Sequence, residues 1–151
     1  MSRLSEISVR IEAPTRLGGL GGGVAAVLSE LVDMLEKVAH GGEAATIDLR
    51  SLPMSPEDRS ALQSALGHGE VQATLRADGV STLQETGISG LWWIEHRDAR
   101  GELIAELLEV ATTPAILAAS TEDMVAASRA LRSRLEVTHS AAARMTHATL
   151  S

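Results

Sequence analysis

Hydrophobic residues recur at steps of three and four in three segments of the chain, residues 24–38, 56–66 and 120–135. This spacing places the apolar side chains on one side of a helix, so each segment is predicted to form an amphipathic helix. Ser55 stands directly before Pro56, and serine at the N-cap with proline at the first helical position is typical of a helix start. The pattern therefore predicts three helices, each with one apolar side.

Between the second and third helices the hydrophobic period shortens to two. Apolar and polar residues alternate from Val71 to Leu75, which is typical of a strand with one solvent-exposed face. Further strands are predicted over residues 46–49, 80–86, 88–96 and 102–111. The element order predicts an α+β fold: a mainly antiparallel sheet of four to five strands, with a meander at about 70–111 and about three helices packed largely on one face.

The two ends of the chain have weaker patterns. Residues 1–23 include the run Gly18-Gly19-Leu20-Gly21-Gly22-Gly23 and are predicted to form a flexible N-terminal arm. Residues 24–137 are predicted to form a single domain. Residues 138–151 are rich in Ala, Ser and Thr and are predicted to form a frayed tail.

Composition limits the chemistry that the chain can perform. Among 151 residues there are 23 alanines and 20 leucines but no Phe or Tyr, and Trp92 and Trp93 are the only aromatic side chains. A formal net charge of −7 argues against a nucleic-acid binder, which needs basic residues and usually aromatic ones. The absence of Cys excludes disulfides, thiol catalysis and thiolate ligands for a zinc ion or an iron–sulfur cluster.

The distribution of charge also bears on the cellular compartment. No stretch of the sequence approaches the ~20 consecutive apolar residues that a membrane-spanning helix needs. Arg3, Glu6, Arg10 and Glu12 interrupt any apolar signal-peptide region near the N-terminus. The sequence therefore predicts a cytoplasmic protein without a membrane partner.

Local motifs for catalysis or metal binding are weak. No two of the five histidines stand three or four residues apart, so the sequence predicts no metal site, with His68 and His96 the first ligands to consider should metal be found. A small enzyme with a carboxylate and histidine site would have to use His68, Glu70 and Glu85. Surface positions explain these side chains equally well, so no catalytic residue and no cofactor is predicted.

The segment Leu91-Trp92-Trp93-Ile94 is apolar on both faces of its predicted strand, because successive side chains point to opposite faces. The next strand is also apolar on both faces. If helices cover one face, the other needs a cover, and Leu91, Trp93, Leu103 and Leu107 are predicted to form a partner-binding face there. Packing within the chain and a homodimer are the alternatives.

Four segments of the sequence, taken in order, are similar to a known family. They are Ile47 to Ser55 with Asp58-Arg59, then Leu66-Gly67-His68-Gly69-Glu70-Val71, then Glu85 to Trp93, and finally Leu108-Glu109-Val110 before Pro114. Their order and spacing resemble the C-terminal domain of the HupH/HyaF hydrogenase expression/formation proteins over about residues 24–135.

The resemblance implies a bacterial accessory protein for the maturation of uptake [NiFe] hydrogenase. Its partner would be a hydrogenase subunit, above all the Fe–S small subunit, or a thioredoxin-like accessory protein. It supplies no catalytic residues, because the family has no agreed active site. Three hypotheses stay open from the sequence: a maturation chaperone, a small enzyme and a structural homo-oligomer.

Overall fold

A computed structural model of the chain describes residues 21–148. It contains three α-helices and five β-strands: α1 (Gly22–Ala39), β1 (Ala45–Asp48), α2 (Pro56–Leu66), β2 (Gln72–Arg76), β3 (Gly79–Glu85), β4 (Leu91–Asp98), β5 (Leu103–Val110) and α3 (Thr121–Ala148). The predicted α+β class is confirmed. Most of the predicted N-terminal arm lies outside the described residues.

The five strands form one antiparallel sheet in the order β1-β5-β4-β3-β2. Strands β2 to β5 follow one another as the predicted meander. Strand β1 closes the sheet at the far edge, where Ile47 lies opposite Leu108. The first and last strands of the sheet along the chain are therefore neighbours in space.

Helices α1 and α2 begin and end where the sequence indicates. The Ser55 hydroxyl accepts a hydrogen bond from Asp58 N at 3.1 Å, and the Asp58 carboxylate accepts one from Ser55 N at 3.1 Å, which is a capping box. Helix α1 ends where Gly42 N donates to Lys37 O at 2.8 Å. Each of these hydrogen bonds joins residues within one or two turns of a helix end, so these helix ends are defined by local sequence.

The main hydrophobic core lies between these two helices and one face of the sheet, here called the helical face. Side chains at steps of three and four on α1 enter this core, as do leucines from α2. The buried members are Val24, Val27, Leu31, Met34, Ile47, Leu49, Leu62, Leu66, Leu91, Trp93, Leu108 and Val110. Leu28, Leu35 and Val38 pack at its margin, so the stripe predicted on α1 does face the core.

The chain divides into two compact units between Pro114 and Ala115. The second unit contains α3, whose start is capped by the Ser120 hydroxyl, which accepts from Asp123 N at 3.0 Å. The helix extends to Ala148, into the segment predicted to fray, because alanine and arginine favour helix there. The domain predicted over residues 24–137 therefore spans parts of both units.

Candidate functional site

The strand register decides which side chains share the helical face. Leu91 lies opposite Val110 and Trp93 lies opposite Leu108, all four on this face. The two β4 residues, Leu91 and Trp93, are both buried on this face, and their exposed fractions are 1% and 7%. The two residues thus belong to the core under α1 and α2.

The four residues predicted as one partner-binding face are divided by this register. Leu107 lies opposite Ile94 on the other face of the sheet, and Leu103 lies opposite Arg97, beyond an irregularity in the β4–β5 ladder. Leu103 and Leu107 are each partly buried. The expectation that all four share a face is wrong. Alternation along one strand shows which of its residues share a face, but only the pairing register shows which residues of the neighbouring strand lie on that same face.

The other face of the sheet, here called the opposite face, is also apolar. Leu83 and Ile94 lie opposite each other in the β3–β4 ladder and are 0% and 1% exposed. Trp92 shares this face, and its indole Nε1 donates a hydrogen bond to Ala111 O at 3.1 Å. The prediction that the two tryptophans point to opposite faces agrees with this register, and both are buried.

A charged pair is buried on the helical face beneath α2. Glu106 of β5 is 2% exposed, and its Oε2 lies 3.1 Å from Nε of Arg59, in the first turns of α2. The Ser55–Asp58 capping box immediately precedes Arg59 and fixes the backbone from which this side chain reaches the sheet. The pair joins the helix to the centre of the sheet by charge.

The charges around Glu106 act on its pKa in opposite directions. Burial raises the pKa of the Glu106 carboxyl above its ordinary value, and this effect outweighs the Arg59 guanidinium, which lowers it. Glu95, directly opposite on β4, raises the pKa further, whereas Trp93 and Arg97 lower it. The net result is a carboxyl that holds its proton more readily than an exposed glutamate.

Three buried polar atoms at this point lack an aligned hydrogen bond among the described residues: Arg59 Nε, Trp93 Nε1 and Glu106 Oε2. Two of them belong to the ion pair, which satisfies their charge without such a bond. The Trp93 indole also interacts with the Glu106 carboxyl, so all three atoms contribute to one buried polar cluster. Trp93 in addition lines a cavity.

The cavity has a volume of about 180 Å³ and lies between the end of α2 and the helical face. That size admits one amino-acid side chain or a few water molecules, below the volume of a typical drug-sized ligand site. It is lined by Gln63, Gly67, His68, Gln72, Thr82, Gln84, Thr86, Trp93 and Glu95. Most of these residues are polar, but the surface that they expose to the cavity is more apolar than polar. The cavity can therefore hold a small side chain that is partly apolar and has a polar group.

Two glycine-containing loops meet at the edge of this cavity. Gly87 N donates to Leu66 O at 2.9 Å, and Gly69 N donates to Glu85 O at 2.8 Å. A Cβ on Gly69 would lie 2.6 Å from the backbone oxygen of Thr86, so only glycine permits this approach. The loops 67–71 and 86–90 thus form one hydrogen-bonded junction, here called the loop junction.

Thr86 holds the second loop of this junction from inside. It is buried, and its hydroxyl donates to Leu91 O at 3.0 Å while accepting from Ile88 N at 3.1 Å. These bonds close the turn that carries Ile88 outward, where its side chain is 42% exposed. Val71, which follows the first loop, is 47% exposed. The loop junction therefore carries two exposed apolar side chains, neither of which lines the cavity.

The residues considered for an enzyme are not brought together. His68 is exposed and lines the cavity, Glu70 is exposed, and Glu85 lies opposite Trp92 and so belongs to the opposite face. The acids near the cavity are Glu95 and Glu106, which sequence reasoning missed. The sequence does contain one indication for Glu106. It alternates in step with Leu108 and Val110, so its side chain is expected on the same buried face of the strand.

Within residues 21–148, no three His, Asp or Glu side chains lie close enough together to hold a metal ion. His96, on the opposite face, has its Nδ1 2.7 Å from the Ser81 hydroxyl. Over the same part of the chain, no helix combines the length and apolar composition that spanning a bilayer requires.

The sequence matches a known protein family over residues 23–138. This family is described as HupH hydrogenase expression protein, C-terminal conserved region. The matched range includes α1, the whole sheet and the first part of α3. All residues of the cavity and the loop junction lie within it.

Individual proteins show the same similarity. The chain is 37% identical over 97 residues to a hydrogenase expression/formation protein, HupH, of Rhizobium leguminosarum bv. viciae, covering 64% of this chain and 34% of that protein. It is 33% identical over 108 residues to HoxQ of Azotobacter vinelandii, covering 70% and 38%. The chain spans about a third of the length of these curated relatives.

A solved structure has the same fold. The hydrogenase expression protein HupH from Thiobacillus denitrificans matches with a TM-score of 0.74 and 41% sequence identity. The match covers 77% of this chain and 97% of that one.

Proposed function

The chain belongs to the family of HupH hydrogenase expression proteins, of which it carries the C-terminal conserved region, and we propose that it assists hydrogenase maturation by binding a protein partner. In this proposal it acts as a non-catalytic accessory protein for an uptake [NiFe] hydrogenase. The partner is a hydrogenase subunit, the Fe–S small subunit, and a thioredoxin-like accessory protein is the alternative partner. The curated relatives are named hydrogenase expression/formation proteins, which supports a role in hydrogenase maturation. The surface of the molecule supports the binding of a protein partner.

The observation that carries the proposal is the loop junction. Each of its two loops carries one exposed apolar side chain, Val71 or Ile88, and the first loop contributes Gly67 and His68 to the cavity. Exposed apolar side chains together with polar groups are the composition expected of a non-obligate protein interface. Both loops lie in segments through which the sequence resembles the family, which favours a shared role for this surface.

An assembly factor must also release its client, and the size of this surface suits that requirement. Two half-exposed aliphatic side chains and a cavity of about 180 Å³ offer one anchoring point and not an extended apolar face. Small and medium interfaces of this kind are typical of transient complexes. In this proposal the cavity receives a single side chain of the partner, and the exposed loop residues contact the surface around that side chain.

The proposal is tested with a double variant, Val71→Asp plus Ile88→Asp. Both side chains are exposed, so the variant is expected to retain its circular dichroism spectrum and its thermal midpoint within a few degrees. In a host that carries an uptake hydrogenase, it should lose co-purification with the small subunit and lower hydrogenase activity. Wild-type levels of both in a folded variant would refute binding through the loop junction.

Ile104 provides the matched control. It is 56% exposed on β5, at the end of the strand far from Val110 and therefore far from the loop junction. Ile104→Asp introduces one such negative charge on the same sheet and should leave co-purification unchanged, whereas Val71→Asp and Ile88→Asp, tested singly, should each weaken it. Equal losses from both variants would mean that the effect is not localised to the junction.

Leu103 and Leu107 define a second surface for the same experiment. They are the two members of the sequence-based set that retain exposure, whereas Leu91 and Trp93 are core residues. Leu107→Asp in a folded protein that loses the small subunit would move the binding site to the opposite face. Light scattering on the same samples tests the homo-oligomer alternative, which requires a dimer that these charges dissociate.

A further inference from the structure

Helix α3 carries a row of exposed apolar residues. The helix has 28 residues and is therefore about 42 Å long. Met124, Leu131 and Leu135 are 55%, 59% and 53% exposed. A helix of this length in water usually owes much of its stability to packing of an apolar side, so exposed leucines in its middle indicate a binding surface.

These residues follow a regular spacing. Met124, Ser128, Leu131, Leu135 and Thr138 succeed one another at alternating steps of four and three, and this row is here called the seam. An average step of 3.5 keeps the row on one side of a helix that pairs lengthwise with another helix. The Thr138 hydroxyl donates to Arg134 O at 2.9 Å, so it is satisfied within the helix and leaves its methyl group for packing.

The flanks of the seam are basic. Arg132 lies on one side of the seam and Arg134 on the other, at the positions that contact the flanks of a paired helix. After the first turn, α3 contains Arg129, Arg132, Arg134 and Arg144 against the single acid Glu136. The chain as a whole has a net charge of −7, so this helix is a basic segment of an acidic protein.

Charge argues against a second copy of α3 as the occupant of the seam. In an antiparallel pair, flanking positions of one kind face each other, and depending on the register Arg132 meets Val125, Arg132 or His139 of the copy while Arg134 meets Ala127, Arg134 or Ala141. In a parallel pair, Arg134 faces His139. Neither arrangement supplies an acid to either arginine.

We infer that α3 is a docking helix for an amphipathic helix of a partner protein that carries acidic residues on both sides of its own apolar seam. The apolar rows of the two helices pack against each other, and the acids pair with Arg132 and Arg134. The inference does not depend on the hydrogenase role, because it rests on the spacing, exposure and charge of α3 alone.

The inference is tested with synthetic helices as probes. One fluorescent peptide of about four heptads has leucine at its seam positions and glutamate at the flanking positions, and its twin has lysine in place of glutamate. Like charges on each peptide oppose its self-association. The full chain should bind the glutamate peptide about tenfold more tightly than the lysine peptide by anisotropy, which corresponds to about 1.4 kcal/mol. The difference should shrink at about 0.5 M salt.

Variants of the full chain locate the site. Leu131→Ser plus Leu135→Ser should abolish binding, whereas Val137→Ser should not, because Val137 is 71% exposed but lies off the seam. Arg132→Glu plus Arg134→Glu should reverse the preference between the two peptides. This exchange keeps residues that favour helix, so it tests the charge argument even if the leucine variant loses helix content.

Three results would overturn the inference. The first is equal binding of the two peptides by the wild-type chain, and the second is unchanged binding by the leucine variant. The third is a dimer in light scattering that the leucine variant dissociates, because this would identify a second copy as the occupant of the seam.

Discussion

Glu95 and Glu106 lie directly opposite each other on β4 and β5, on the face of the sheet that α2 covers. Like charges in directly opposed positions destabilise a sheet. Each glutamate has its own arginine: Arg59 of α2 approaches Glu106 at 3.1 Å, and Arg97 of the same strand approaches Glu95 at 2.9 Å. The two ion pairs contribute differently to the free energy of unfolding, because only the Glu106 carboxylate is fully buried.

Replacing Arg59 by Ala leaves the buried Glu106 carboxylate without its cation. We expect a loss of about 2–3 kcal/mol in the free energy of unfolding, somewhat below the usual cost of about 3–5 kcal/mol for a broken buried pair, because Arg59 is itself 32% exposed. Arg97→Ala breaks an exposed pair and should cost less than about 1 kcal/mol. Urea denaturation of both variants measures the contrast, and equal losses would contradict it.

Replacing the pair together tests whether charge or packing holds α2 to the sheet. In Arg59→Leu plus Glu106→Leu, no buried charge is left unpaired, so stability should stay within about 1 kcal/mol of the wild type. Arg59→Leu alone should be clearly less stable than this double variant. A double variant as unstable as the single one would show that the ion pair contributes through its geometry.

The raised pKa of Glu106 predicts a pH dependence of stability. The folded state binds this proton more tightly than the unfolded state, so the Glu106 contribution is most favourable below the ordinary value of 4.5 and is lost as the pH rises through the folded pKa. Glu106→Gln removes this dependence. Its stability relative to the wild type should therefore increase as the pH rises above 4.5.

Unfolding free energies of the wild type and Glu106→Gln, taken at several pH values, measure that difference. Glu102, whose side chain is 73% exposed, is the control position. The same trend in Glu102→Gln would show that the effect does not come from the buried carboxyl.

The two tryptophans are expected to differ when each loses only its indole nitrogen. Truncation to Ala should cost about 3–5 kcal/mol at either position, because both side chains are buried. Trp92→Phe should cost about 1 kcal/mol more than Trp93→Phe, since it removes the hydrogen bond from Nε1 to Ala111 O. The Trp93 indole interacts with the Glu106 carboxyl, but its Nε1 makes no well-aligned hydrogen bond, so less stability is lost at that position. Thermal denaturation of the two Phe variants tests this order.

Gly69→Ala should destabilise the loop junction. Its Cβ would lie 2.6 Å from Thr86 O, a backbone atom that cannot move without breaking the junction, so we expect a loss of about 2 kcal/mol or more. Gly23→Ala makes the same change in α1, where nothing lies within 4 Å of the new methyl group. It should raise stability by about 0.5–1 kcal/mol.

The helices could be predicted from sequence because their signals are local. The capping box at Ser55 and the glycines after α1 each act within a few residues, and the structure contains both features. Sequence patterns predict a shorter α3, because an Ala-, Ser- and Thr-rich segment without a strong apolar row is typical of a frayed end, whereas the helix continues to Ala148. Helix propensity was the better guide there.

The site could be predicted only in part. Alternation correctly separates Trp92 from Trp93, but it cannot say that Leu91 and Trp93 share a face with Leu108 and not with Leu107. That choice is made by the register of β4 against β5. The ion pair between Arg59 and Glu106 was missed for the same reason, because its members are 47 positions apart and meet only when α2 packs on the sheet.

The pairing of β1 with β5 also determines the order in which the molecule can fold. Ala45 and Val110 are partners although 65 positions separate them, whereas each hairpin of the meander closes over a few residues. Loop-closure entropy therefore favours early pairing of β2 to β5. The pairing of β1 with β5, and the packing of the helices beside β1 on the sheet, follow later. Until then, the face that bears Trp93 is uncovered. During synthesis β1 is made before β5, so β1 has no pairing partner until β5 has been added. The uncovered face that bears Trp93 is then the surface that a chaperone would bind on the newly made chain.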